Sequence, residues 1–275
     1  LNRRQNKILN NATILYDEQG TPTFVNKRET NYFIGVAVAF DSSIEQNIFD
    51  QCNELFGLSK SRPMKNDKIT NSKAIQIGEQ FSQMNLLIDF FYLDLSNEKL
   101  HSTAKLYGDF GNILREKHRG AKERNVAQIL YGEVQCHTLF SIISKYIELY
   151  QTSTQFSIFI DNWEFPRCDI NLALNMTSES LALKNNEINQ DFFPGVQVFC
   201  DSLQLLDKDS KKKRFVDVLA SIISRNFLDK NNPKYSDSIL NTIFSEHNYN
   251  VSNRDITTIT IDSLINIMDN ISRNG

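Results

Sequence analysis

The sequence predicts an α/β protein: a five-stranded mixed sheet flanked by helices, with a small C-terminal extension. Three observations predict it. Strand-type segments at 12–16, 31–40 and 84–95 occupy the first third of the chain and suit an antiparallel meander. Two more, 156–161 and 196–201, each follow a helical pattern, the arrangement that lets a strand join a sheet in parallel. The composition, 40% hydrophobic and 23% charged over 275 residues, is that of a globular chain long enough to bury a core.

Residues 1–11 are polar and basic and read as a frayed start. The first strand, "ATILY" (12–16), runs straight into Asp17 and Glu18 and then Gly20. The second is "NYFIGVAVAF" (31–40). Between them Gly20, Pro22 and several charges mark a long turn, so the two strands pair as an antiparallel hairpin. A short amphipathic helix follows over 41–57, with Asp41 and two serines at its cap, Ile44, Ile48, Cys52 and Leu55 in one stripe, and Gly57 at its stop. After a polar, basic stretch (59–73) comes the third strand, 84–95.

Residues 121–150 carry the longest helical pattern, with Val126, Ile129, Leu130, Val134, Phe140, Ile143 and Ile147 recurring near the 3.6-residue period. The fourth strand, "FSIFID" (156–161), ends on Asp161. A weaker helix at 178–186 leads through Pro194 and Gly195 to "VQVFCD" (196–201), which ends on Asp201. A helix over 211–227 then carries a lone acid, Asp217, among Phe215, Val216, Val218 and Leu219. The domain so outlined spans 1–228. Residues 229–275 differ in texture: a linker, a short helix, a strand over "ITTITI" (256–261) and a last helix form an extension suited to a cap or an oligomerisation element.

Charge and cysteine usage narrow the function classes. Net charge is −3 and the pI is near 5.9, so no global basic field advertises nucleic acid, although a local patch is enough to engage phosphates. Cys52, Cys136, Cys168 and Cys200 show no C-x-x-C spacing, which argues against a zinc site or redox pair and for free thiols. The longest apolar run, 33–40, is far too short to span a membrane, and no signal-peptide pattern is present. The expectation is a cytoplasmic protein with no membrane partner.

Ligands of mixed α/β sheets sit outside the carboxyl ends of the parallel strands. If the first, fourth and fifth strands run the same way, Asp17, Asp161 and Asp201 emerge at one edge, with Asp217 close by on the last helix. An acid so near an apolar face is costly unless paired or bound to a cation. Converging carboxylates repel, and a divalent ion relieves them; hard oxygens without histidine or cysteine suit Mg2+ or Mn2+. Two such ions about 4 Å apart activate a water and steady the leaving oxygen of a phosphodiester.

The order of these elements and acids resembles the ribonuclease-H-like fold and, more narrowly, the prokaryotic family called domain of unknown function 3800. The matching stretches are "LYDEQG", "YFIGVAVAF", "PMKNDKI", "FSIFID", "FCDS" and "FVDVLA", which cover roughly residues 12–228 in the family's order. Gln19 stands where serine is usual, Phe215 where glutamine is, and Val216 where alanine is. The resemblance implies a metal-dependent nuclease centre, in a family whose members sit in mobile-element and phage-defence neighbourhoods. It implies that Asp17 and Asp161 hold the metals and that Asp217 completes the site. Glu18 or Asp201 would be a supporting carboxylate, and Lys65 and Lys68 would contact a substrate phosphate, as would Lys211, Lys212, Lys213 and Arg214. It also implies a further glutamate from the helix after the third strand, for which Glu133 is the candidate, with His137 on the same helical face.

Taken as local chemistry alone, Glu133 with His137 is an ordinary helical surface pair, and the basic run at 211–214 is a solvated helix end. A basic helix start nonetheless opposes the macrodipole and wants an explanation. Two function classes stand: a Mg2+- or Mn2+-dependent nuclease on DNA or RNA, and a non-catalytic scaffold or sensor acting through a protein partner or a second copy at 229–275. Hydrolysis of a nucleotide or another phosphate ester would use the same acids.

Overall fold

Alternation of buried side chains along the strands builds two apolar faces, and each collects its own helices. The computed structural model describes residues 9–20, 32–56, 76, 79–80, 83–84, 86–117, 126–161, 170–201, 203–207, 210–228 and 251–274. In chain order these form β1 (Asn10–Gln19), β2 (Tyr32–Asp41), a 3-10 turn (Ser42–Ile44), α1 (Glu45–Phe56), β3 (Leu87–Asp94), α2 (Glu98–Lys117), α3 (Val126–Tyr150), β4 (Thr154–Ile160), α4 (Ile170–Phe192), β5 (Val198–Cys200), β6 (Gln204–Leu205), α5 (Lys211–Leu228), β7 (Val251–Asp255) and α6 (Thr257–Asn274). The protein is α/β, a mixed sheet of seven strands flanked by six helices among the described residues.

The sheet order is β5-β4-β1-β2-β3-β7, and β6 pairs with β4 further along the edge that β5 occupies. β1 and β2 pair antiparallel, from Ala12 opposite Asp41 to Gln19 opposite Ile34, and β2 pairs antiparallel with β3. β4 runs parallel to β1, and β5 parallel to β4. The hairpin, the meander and the common direction of β1, β4 and β5 therefore follow the expectation.

On one face Leu15, Val36, Val38 and Phe90 pack against Phe49 of α1 and Phe215, Leu219 and Ile223 of α5. On the other, Ile14, Tyr16, Ala37 and Ile158 pack under Leu139, Ile143 and Ile147 of α3. A third cluster, around Phe33, Phe91 and Leu93, joins the first turns of α3 to Leu100 of α2 and to Ile261 and Leu264 of α6. Among the described residues no helix is long and apolar enough to cross a membrane.

Four expectations are corrected. The sheet has seven strands, not five, because β6 and β7 add to it. β7, from the segment read as an extension, pairs parallel with β3 and forms its outer neighbour. The segment 256–261 is not a strand: its β-branched residues suggest one, but Ile256, Thr260, Ile261 and Leu264 bury at helical spacing, and Asp255 Oδ1 accepts the Thr257 N–H at 2.8 Å as a cap. Helix α2 went unread. Its apolar stripe is thin, although Asn97 caps it by accepting the Lys99 and Leu100 N–H groups at 3.0 Å each. The long turn after β1 and the basic stretch at 59–73 lie outside the described residues.

Gly35 lets α3 settle on the sheet. A methyl group there would lie 2.5 Å from Val134 Cγ1 and 2.7 Å from Tyr16 Oη, against a stiff β-branched side chain and a buried ring. Gly35→Ala is therefore expected to destabilise the fold by about 1–3 kcal/mol through overpacking. Urea unfolding would show a lower midpoint with an unchanged slope.

Candidate metal centre

β1 and β4 run parallel with Tyr16 opposite Ile160, and the next residue on each strand is an aspartate. The Asp161 N–H donates to the Tyr16 carbonyl at 3.2 Å, so the backbone itself makes Asp17 and Asp161 neighbours. Alternation places Asp17 on the face of Leu15 and Asp161 on that of Phe159, under α5. α5 brings the third acid. Ser210 caps its start, accepting the Lys213 N–H at 3.2 Å, and Phe215, Val216, Val218 and Leu219 seat its next turn on the sheet. One carboxylate oxygen from each of Asp17, Asp161 and Asp217 lies within 4.8 Å of the others. Among the described residues this is the one cluster of three or more side chains able to ligate a metal.

Asp17 is 3% exposed, and its Oδ2 has no hydrogen-bond partner. Burial, and then the charges of Asp217, Glu18 and Asp161, push its carboxyl up to about 8. Burial also raises Asp217; the Lys213 ammonium opposes that rise without cancelling it, Asp161 adds to it, and a side-chain hydrogen bond shared with Asp17 lowers it. Lys213 sits inside the cluster. Its Nζ bonds to Asp161 Oδ1 and lies 3.7 Å from Asp217 Oδ1, four residues along the helix. Burial pulls the ammonium down, but the bond to Asp161 and the charges of Asp217, Asp161 and Asp17 outweigh it and leave Lys213 raised. Three carboxylates facing one ammonium leave a surplus of negative charge, and an acidic trio of this kind can hold a metal ion.

The other candidates go elsewhere. Glu18 follows Tyr16's partner face by one strand alternation, toward α3 rather than α5, and reaches Asp17 through its charge. Asp201 is held at the level of β4's middle, accepting from Gln155 Nε2 at 2.6 Å and Ser157 Oγ at 2.8 Å. Four residues of extended strand separate Ser157 from Asp161, about 13 Å. Asp201 therefore does not join the trio, because β5 stops at Cys200, opposite Phe156. Glu133 lies across the sheet on α3. It pairs with His137 at 3.4 Å and accepts from Ser263 Oγ at 3.3 Å. Both line a cleft of about 770 Å³ with Cys136 and Lys184. Cys136 is a free thiol exposed at this cleft. Lys65 and Lys68 lie outside the described residues.

The basic start of α5 now has its explanation. Lys211 faces Asp50 at 4.0 Å, and Lys212 pairs with Glu45 at 3.1 Å while its ammonium lies 3.7 Å from the centre of the Phe159 ring. Each lysine of the run answers a carboxylate on α1 or in the trio. Lys213, expected with its neighbours as a phosphate contact, instead pairs with the acids of the trio; its i,i+4 spacing to Asp217 was the signal for that pairing.

No known protein-family model matches the chain, and no curated protein matches it.

The proton on Asp17 makes stability depend on pH. The unfolded chain releases that proton near 3.8, whereas the folded chain keeps it until about 8. Across this window the fold binds the extra proton, so the stability it confers is complete below 3.8 and lost as pH rises through 8. In chelator, Asp17→Asn should leave the melting temperature at pH 4 nearly unchanged and raise it at pH 8, by about 2–4 °C for each kcal/mol of relieved destabilisation in a domain of this size. Thermal unfolding followed by circular dichroism at pH 4, 6 and 8 measures it.

Proposed function

We propose that the chain is a divalent-metal-dependent phosphodiesterase, a nuclease acting on DNA or RNA, built on a ribonuclease-H-like sheet. The observation that carries this reading is the trio Asp17, Asp161 and Asp217, one oxygen of each lying within 4.8 Å of the others, with Asp17 almost wholly buried. Its donors are all carboxylate oxygens, a set that suits Mg2+ or Mn2+. Bound there, such ions supply an activated water and a counter-charge for the leaving oxygen. The chain's own contribution is placement. Asp17 lies within β1, Asp161 directly follows β4, its parallel neighbour, and Asp217 comes from a helix whose apolar side is buried, so the ligands sit on or beside rigid elements. Asp17 gives up its proton as it takes its place in the ligand set.

The sheet supports the fold half of the reading. β1 to β3 form the meander, β4 and β5 join in parallel, and one acid stands within the C-terminal part of β1 beside another that directly follows β4. The resemblance to the domain of unknown function 3800 family extends the proposal to a prokaryotic mobile-element or phage-defence setting. One observation favours the second reading, a non-catalytic scaffold acting through a protein partner: Lys213 already offsets part of the trio's charge, as a purely structural ion cluster would. Ile259 and Ile265, exposed on α6, would then serve the partner.

The two readings part on metal. A ligand at 100 times its Kd stabilises a fold by about 2.7 kcal/mol, which is about 5–11 °C for a domain of this size. Saturating Mn2+ should raise the melting temperature on that scale in the native chain and leave Asp161→Asn unmoved. Mn2+-dependent cleavage of labelled DNA or RNA should fall at least about 100-fold in Asp161→Asn. A chain that shows neither a Mn2+ or Mg2+ shift nor any metal-dependent cleavage selects the scaffold.

A further inference from the structure

Resting on the metal-centre reading, we propose that Lys213 is a built-in cation that closes the carboxylate trio and must swing out before a divalent metal enters, its ammonium then pairing with the oxyanion of a phosphodiester substrate.

The ammonium stands among the ligand oxygens themselves. It bonds Asp161 and lies 3.7 Å from Asp217 Oδ1, two of the three acids whose oxygens gather within 4.8 Å. An ammonium and a divalent ion within about 4 Å of each other repel strongly in a half-buried site. Both cannot use the same carboxylates, so metal entry and the Lys213 contacts compete. The geometry also allows the exit. Lys213 is the third residue of α5, and its charge rides on a flexible four-carbon stem while the backbone stays fixed by the Ser210 cap. Its side chain keeps 17% exposure, a path to solvent rather than a sealed core. Lys211 and Lys212 are turned toward Asp50 and Glu45 of α1 instead, which leaves Lys213 as the lysine of this run that faces the acids.

Once displaced, the ammonium is at the N-terminal turn of a helix, where the macrodipole favours an anion and disfavours a bare cation. A phosphodiester oxygen brought to that turn relieves the cost that the departing carboxylates leave behind. Lys213 therefore makes metal binding weak while no phosphate is present and couples it to substrate. The coupling is reciprocal, because each partner favours the same open position of the lysine.

The test is Mn2+ binding by calorimetry to the native chain, Lys213→Met, Lys213→Gln and Lys213→Arg, without substrate. Removing the charge in Lys213→Met should tighten Mn2+ at least about tenfold. Lys213→Gln should do the same and serves if the methionine variant does not fold. Lys213→Arg should bind as weakly as the native chain. Equal or weaker affinity in the charge-free variants overturns the lysine's role and leaves the metal centre standing. Mn2+ binding to neither the native chain nor the variants overturns both readings together.

Discussion

Where β4 stops, opposite Tyr16 of its parallel neighbour β1, the backbone forces two aspartates together, and the chemistry at this end of the sheet answers that repulsion. The constraint is backbone-made. Tyr16 lies opposite Ile160, and the Asp161 N–H bonds the Tyr16 carbonyl, so neither acid can retreat without breaking the β1–β4 ladder. α5 then lowers a third acid and a lysine onto the pair. Burial under that helix turns a surface repulsion into a large one, because charges removed from water interact through a weaker dielectric. The system responds by keeping a proton on Asp17 and an ammonium on Asp161.

Such a corner subtracts from stability, and the remainder of the sheet has to offset it. β2 does much of this. Eight of its residues, from Phe33 to Phe40, are buried, serving α1 and α5 on one face and α3 on the other. Gly35 fits into the same economy of space, since it lets Tyr16 and Val134 meet over the strand directly beside Glu18. The tight α3 face thus lies immediately behind the strained carboxylate edge. Strand β1 is gripped from one side while its end carries the destabilising charge on the other.

How much of this was legible in the sequence depends on which force decided each feature. Asp17 and Asp161 were legible because hydrophobic runs that stop on an acid are local signals and strand alternation carries them to one face, and Asp217 because a lone acid among apolar helix residues is one too. Asp201 carries the same signal and goes elsewhere, since a strand only three residues long ends at the middle of β4; the length of β5 is set by pairing, which no local pattern states. Glu133 shared a helix face with His137, as its spacing promised, but which side of the sheet α3 covers is a tertiary choice. The strand expected at 256–261 became the start of α6 because burial at helical spacing and the Asp255 cap outweighed β-branched propensity. β6 and β7 are short and exist through their partners, so their own residues announce little.

A second buried aspartate shows what a purely structural acid looks like in this protein. Asp89, in the middle of β3, has no exposed surface, and burial raises its carboxyl against the pull of Lys145, Ser141 and Arg254. Yet both of its oxygens are satisfied: Ser141 Oγ donates to Oδ2 at 2.7 Å, and Lys145 Nζ lies 3.5 Å from Oδ1. One acid meets one lysine and one hydroxyl, and the group is closed. At the end of β1 three acids meet one lysine, and Asp17 Oδ2 is left without a donor. Leaving a buried polar atom unmatched costs about 1–3 kcal/mol, and the same fold demonstrates at Asp89 that it can match one. The difference is therefore not a failure of packing. One buried carboxylate of this sheet is closed by its own neighbours, whereas the group around Asp17 carries more acid than Lys213 balances, a surplus of negative charge that a cation could offset.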